Sequence, residues 1–308
     1  MRGALGNGGA YSASSSQRLI QATPAPASIA RSAALLLDGR GKPFCSAVRV
    51  GPQHFLTAAH CVAQRSFQEG EEVFGSQVRP EFMDGQDLGY THAMGSDWQA
   101  GTIVSVELAP SFVTLCSAAP GCKWRDLIAR GAPDLAILTL DSVDASVAQA
   151  EVDSSALSDG ETVTMAGYGC TDGSMDPGRF QLRYGVSSTL SLADARQGAG
   201  QVFPPVTDNP LYAYTRGVMF GGHASAHNTS LCLGDSGGPL YRGTLAPGGA
   251  ERVVGINSGT LWNRPQVPKM PKVNFFARVD DASVTLWLGA QIGGIHLGTL
   301  FPHPIHAP

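Results

Sequence analysis

The sequence predicts an all-β protein, and three observations predict it. Glycine supplies 38 of the 308 residues, about 12% against roughly 7% in an average chain, which marks many turns. The apolar runs are short and rich in Val, Thr, Ala and Leu, as in "ETVTMAGYG" at 161–169 and "ERVVGINSG" at 251–259, the length and composition of strands. A convincing helical period comes only at the end, where Val284, Trp287, Leu288 and Ile292 fall at i, i+3, i+4 and i+8 behind Asp281 or Ser283 as N-cap.

Taken in order, residues 1–18 are small, polar and glycine-rich, and read as a leader without the apolar core of a secretory signal. Strands follow in "SAALLLDG", "PFCSAVRVG" and "HFLTAAHC", separated by Gly, Pro and Asp turn residues. The stretch 64–130 is less regular and reads as long loops on one barrel-like unit; its acidic part, with Asp84, Asp87 and Asp97, is read as a solvated loop. "PDLAILTL" at 133–140 is a turn entering an apolar strand. The Ala- and Ser-rich 141–160 reads as a linker between two halves, 161–279 as a second set of strands, 280–293 as the helix and 294–308 as a tail. The tail's His296, His303 and His306 sit on a Pro- and Gly-broken segment with no scaffold to fix metal ligands.

Composition excludes several classes of partner. Charged residues are 15% of the chain and the net charge is −4, so nothing marks a nucleic-acid or polybasic membrane contact. The longest apolar run, "AALLL" at 33–37, falls far short of the roughly 20 residues of a spanning helix. Six cysteines suit disulfides in an oxidising compartment; sequence alone allows 15 pairings, and in sequence order they fall as Cys45 with Cys61, Cys116 with Cys122, and Cys170 with Cys232. No CxxC occurs, which argues against zinc, and no cofactor is expected.

Three separated stretches carry chemistry when weighed together: "LTAAHC" around His60, "PDLAIL" around Asp134 and "GDSGGP" around Ser236. A serine hydroxyl is a weak nucleophile at neutral pH and needs a base to take its proton. An imidazole can accept and return that proton, and a carboxylate fixes its tautomer. Taken singly, each piece has a plain structural reading as a packed histidine, a turn aspartate and a glycine turn. Their joint occurrence points to nucleophilic catalysis.

In this order the three motifs resemble the trypsin and chymotrypsin family of serine endopeptidases, over roughly residues 19–293. The resemblance implies two packed six-stranded Greek-key β-barrels, at 19–140 and 161–279, with a C-terminal α-helix. It implies Ser236 as nucleophile, His60 as general base and acid, Asp134 as the orienting carboxylate, and the N–H groups of Gly234 and Ser236 as the oxyanion hole. Cys45 and Cys61 bracket the histidine loop as the family's first disulfide does; Cys170 with Cys232 replaces a family pairing, and Cys116 with Cys122 closes a small insertion loop.

The resemblance also implies a zymogen cut after Arg18, whose new amino terminus at Leu19 pairs with Asp235. Here Gln21 and Ala22 stand where the family has glycines. Ser230 falls at the base of the primary specificity pocket, with Leu231, Thr260 and Asn274 on its walls and Ser258 supporting Asp134; a base without an acid points to a small or medium uncharged P1 side chain rather than Arg or Lys. The expected partners are protein or peptide substrates, an activating protease and protein inhibitors, in a secreted, extracellular or periplasmic setting. The rival expectation is a non-catalytic homologue that keeps the fold and binds a protein partner.

Overall fold

Alternating burial along short segments decides the architecture. In the computed structural model, residues 22–68, 71–74, 88–94, 97–117, 122–123, 127, 131–169, 181–191, 218–221, 229, 231–261 and 273–292 are described. The first half contributes β2 (Ala33–Asp38), β3 (Pro43–Gly51), β4 (His54–Thr57), β7 (Leu88–Met94), β8 (Asp97–Leu108) and β9 (Ala136–Leu140). They close into a barrel in the order β2-β3-β4-β9-β8-β7, following a short β1 (Thr23–Pro24). Closure leaves no open edge, and the interior is filled by side chains, with Leu36, Phe55, Leu56, Ile103 and Leu138 wholly buried. A separate hairpin, β5 (Arg65–Gln68) with β6 (Glu71–Phe74), and the helix α2 (Pro110–Ser117) flank it.

The turn between β2 and β3 shows how local chemistry sets register. Asp38 accepts hydrogen bonds from the N–H of Arg40 and Lys42 at 2.9 and 2.8 Å, and Gly41 takes the positive φ of +72° that the tight reversal requires.

The second half is one eight-stranded sheet. It comprises β10 (Glu151–Val152), β11 (Thr162–Gly167), β12 (Arg183–Ser188), β13 (Val218–Gly221), β14 (Pro239–Arg242), β15 (Arg252–Leu261) and β16 (Val273–Arg278), together with β1. The strand path is β1-β12-β11-β14-β15-β16-β13, with β10 pairing in parallel to β15. The expected second six-stranded barrel is thus a sheet among the described residues, and the segments joining β12 to β13 lie outside them. Val163, Met165, Leu240, Val254 and Phe276 form its apolar core.

The two halves are bound by polar groups as well as by packing. Glu251 accepts the N–H of Arg31 and Ser32 and the hydroxyl of Ser32, at 2.7, 2.9 and 2.6 Å. The stretch read as a linker docks on both sides, since Ala150 N–H donates to the Arg49 carbonyl and Glu151 N–H to that of Glu251. The final helix α3 (Ala282–Ile292) is capped by Asp281, which accepts the N–H of Ser283 and Val284. It buries Val284, Trp287, Leu288 and Ile292, the stripe expected from the sequence, and Trp287 Nε1 donates to Glu107 of β8 at 2.6 Å. The 64–130 stretch, expected as loops, contains the long β8: its partners β7 and β9 supply the pairing that its own sequence does not advertise.

Candidate active site

His60 lies on a one-turn helix, α1 (Ala59–Val62), entered from β4 and fixed by the Cys45–Cys61 disulfide across to β3. All four residues of α1 are buried, so the imidazole is held by the barrel rather than carried on a free loop. Asp134 stands just before β9 and is wholly buried. Its Oδ1 accepts the N–H of His60 at 2.8 Å, and its Oδ2 pairs with His60 Nδ1 at 2.6 Å. Ser258 Oγ, from β15 in the other half, donates to the same Oδ2 at 2.6 Å.

The electrostatics follow from this geometry. Burial alone pushes the Asp134 carboxyl up; the neighbouring His60 imidazole and the hydrogen bonds from His60 and Ser258 outweigh it and hold the group below its ordinary value. An ionised Asp134 is an acceptor only, so Nδ1 carries the proton and Nε2 is left with its lone pair, the tautomer a general base needs.

The 231–238 loop is bent by two glycines in the left-handed region, Gly234 at φ +91° and Gly237 at φ +82°. A Cβ on Gly237 would stand 2.1 Å from both the Ser46 carbonyl oxygen and Thr57 Oγ1, so the loop lies against the segment that leads into His60. The Ser236 carbonyl accepts Ser46 N–H at 2.7 Å, and Ser46 Oγ donates to the Gly234 carbonyl at 2.8 Å. From the far side, Asn257 accepts Gly237 N–H at 2.7 Å and its own N–H donates to Gly238. The half-buried Ser236 thus sits on a loop bonded to Ser46 on one side and Asn257 on the other, while Ser258, next along β15 from Asn257, holds Asp134.

Of the loop's backbone donors, Asp235, Gly237 and Gly238 donate to backbone carbonyls and Leu231 and Cys232 to side-chain oxygens, whereas among the described residues the N–H groups of Leu233, Gly234 and Ser236 have no acceptor. Asp235 is fully buried and accepts the N–H of Gly169 and Cys232, each at 2.8 Å. Burial pushes its carboxyl up to about 7, against the opposing pull of those two N–H bonds and of the Arg183 charge.

Of the expected pocket residues, Leu231 is buried and Asn274 is wholly buried on β16. The Asn274 amide is engaged at both ends, Oδ1 accepting Leu231 N–H at 3.0 Å and Nδ2 donating to the Thr229 carbonyl at 3.2 Å. It ties the backbone of Leu231 to that of Thr229. Thr260 stands on β15, its side chain outside the described residues, as are Ser230, Arg18 and Leu19. Cys116 and Cys122 are joined, and Cys232 is also disulfide-bonded; its expected partner Cys170 lies outside the described residues. Cys45, Cys61 and His60 bring ligand-type atoms within 4.8 Å of one another, but both sulfurs are used in the disulfide and Nδ1 in its bond to Asp134, so this is no donor set for a metal.

Sequence reasoning missed Ser46, Asn257 and Arg183. Ser46 and Asn257 are polar residues inside apolar strand runs, a pattern that signals a buried hydrogen bond but not its partner.

A closed six-stranded barrel beside a second sheet, with a buried His–Asp pair and a glycine-bent serine loop at their seam, is the architecture of trypsin-like serine proteases. The chain belongs to the trypsin family, whose model matches residues 20–288. Among solved structures it is similar to neuropsin, a serine protease expressed in the limbic system of mouse brain, with a TM-score of 0.56 and 16% identity over 88% of this chain and 98% of that one. At this identity the likeness is one of fold. No curated protein matches the chain.

Proposed function

We propose that the protein is a secreted serine endopeptidase that cleaves peptide bonds through an acyl-enzyme. One observation carries the reading. The buried Asp134, bonded by His60 and Ser258, shares a seam with a loop that offers Ser236 and the unspent N–H groups of Gly234 and Ser236. In this mechanism Ser236 Oγ attacks the scissile carbonyl while its proton passes to His60 Nε2. The developing oxyanion sits on the N–H groups of Gly234 and Ser236, and losing one such donor costs about 10²- to 10³-fold in turnover. Collapse expels the amine, which takes the proton from His60. Water then repeats the sequence in reverse and frees the acid.

The chain is read as a zymogen cut after Arg18. β1 supports the reading by seating Thr23 and Pro24 on Tyr184 and Arg183, which leaves Leu19 three residues from Ala22, a reach of about 10 Å. An α-amino group is cationic enough at neutral pH to neutralise the buried Asp235. The P1 preference is for small or medium uncharged side chains, because the wall carries Leu231 and an Asn274 whose amide is already bonded to backbone. The disulfides fit an oxidising, extracellular or periplasmic site of action.

A fluorophosphonate probe and a peptide library test the reading, applied to the chain before and after cleavage at Arg18. Labelling confined to Ser236, with hydrolysis after small uncharged residues that rises on cleavage, is expected. Peptide binding with neither labelling nor hydrolysis would instead establish a non-catalytic protein-binding homologue.

A further inference from the structure

The Asp235 carboxylate is enclosed on every side. The end of β11 brings Gly167, Tyr168 and Gly169, so close that a Cβ on either glycine would stand 2.5 Å or less from a carboxylate atom. β3 contributes Ser46, which holds the Gly234 carbonyl, and β15 contributes Asn257, whose Nδ2 donates to the Asp235 carbonyl oxygen; neither side chain titrates. β12 contributes Arg183, paired with Gly167 on one side and Pro24 on the other. Among the described residues, Tyr168 and Arg183 are the titratable groups around the nook, and Arg183 is the cation.

Arg183 is itself 2% exposed. Its Nη1 donates to the Ala22 carbonyl at 3.4 Å and its Nη2 to Gln181 Oε1 at 3.3 Å. A guanidinium keeps its charge when buried, unlike an amine. Asp235 holds the N–H groups of Gly169 and Cys232, and Gly234 has a left-handed backbone.

We propose that Arg183 is a resident counter-ion for Asp235. It holds the 231–237 loop formed before any cleavage after Arg18, so the uncleaved chain keeps a basal reactivity at Ser236 that the freed Leu19 amino terminus then raises. The inference rests on reading Asp235 as the partner of that amino terminus. Arg183 acts through Asp235 and touches no substrate, which makes it a positioning residue. The lowering of the Asp235 pKa by Arg183 is consistent with this placement.

The test measures fluorophosphonate labelling of Ser236 in the full chain at neutral pH. Arg18→Gln keeps the chain uncleaved, and this variant is expected to label measurably, though more slowly than the cleaved wild type. Adding Arg183→Gln is expected to slow uncleaved labelling several-fold, because a smaller fraction of Asp235 is then ionised. Arg183→Lys restores it. After cleavage, Arg183→Gln labels close to wild type, because the ammonium now supplies the charge; a merely structural arginine would weaken both forms alike, and that result overturns the proposal. So does an uncleaved chain that does not label while the cleaved wild type does. Should the glutamine variant not fold, the lysine variant decides alone: uncleaved labelling at the Arg18→Gln level supports a charge effect, and its loss refutes one. Cleaved wild type that fails to label is a different result, since it removes the protease reading and this inference with it.

Discussion

Asp134 takes hydrogen bonds from a backbone N–H, an imidazole and a hydroxyl in a place closed to water. In the proposed mechanism its value lies in the tautomer it imposes on His60. Asp134→Asn is isosteric but presents an amide N–H where an acceptor is needed, so kcat is expected to fall about 10⁴-fold with the fold intact. Steady-state kinetics beside a thermal melt would expose an error here if activity survived. Ser258→Ala removes one donor to an ionised group and leaves His60 in place; a loss of about tenfold in kcat is expected, with KM little changed. Both changes bear on residues that local sequence ranked differently. Asp134 opens a strand motif, while Ser258 is one hydroxyl in a run of strand residues, and its role became concrete only where β15 crosses the seam.

At the scale of elements, the 231–238 loop is held by a packed glycine, Gly237, unlike the open Gly243 in the turn after β14. Gly237 has a left-handed backbone and no room for a Cβ, against backbone that cannot move; Gly243 has a similar φ, +69°, with nothing within 4 Å. Gly243→Ala should cost about 1–2 kcal/mol, the conformational penalty alone. Gly237→Ala adds the clash with Ser46 and Thr57 and should cost roughly 3 kcal/mol or more, with loss of Ser236 labelling. Equal melting shifts for the two variants would show that contact with the first barrel does not shape the loop. The glycines themselves were legible as a turn; which of them was packed against another strand was not, because Ser46 and Thr57 lie about 180 residues upstream. The long β8 was missed for a related reason, since its pairing with β7 and β9 decides its state.

For the whole molecule, the buried Asp235 makes stability depend on pH. Its folded pKa, pushed up to about 7, lies above the ordinary 3.8, so the folded state binds the proton more tightly. The stability this supplies is complete below about pH 4 and is lost as pH rises through 7. Asp235→Asn has no such titration. In the uncleaved chain its melting temperature relative to wild type is therefore expected to climb between pH 5 and pH 8; a flat difference would show that Asp235 stays ionised throughout. Glu251 joins the halves through three donors from the 31–32 segment, and Glu251→Ala, which leaves those donors buried, should cost about 1–3 kcal/mol in a denaturant titration.

The sequence by itself determined the β-rich class, the capped terminal helix, and the three motifs that carry His60, Asp134 and Ser236. Each of these is written in neighbouring residues: turn glycines, a period of two or 3.6, a hydroxyl between bends. Only the tertiary structure decided that Ser46 and Asn257 grip the serine loop, that Asn274 bonds the backbone of Leu231 and Thr229, and that Arg183 pairs with Gly167, which lies against Asp235. Those are meetings of residues tens to hundreds of positions apart, fixed by strand pairing and burial, and no local pattern in a chain encodes which buried polar group another will meet.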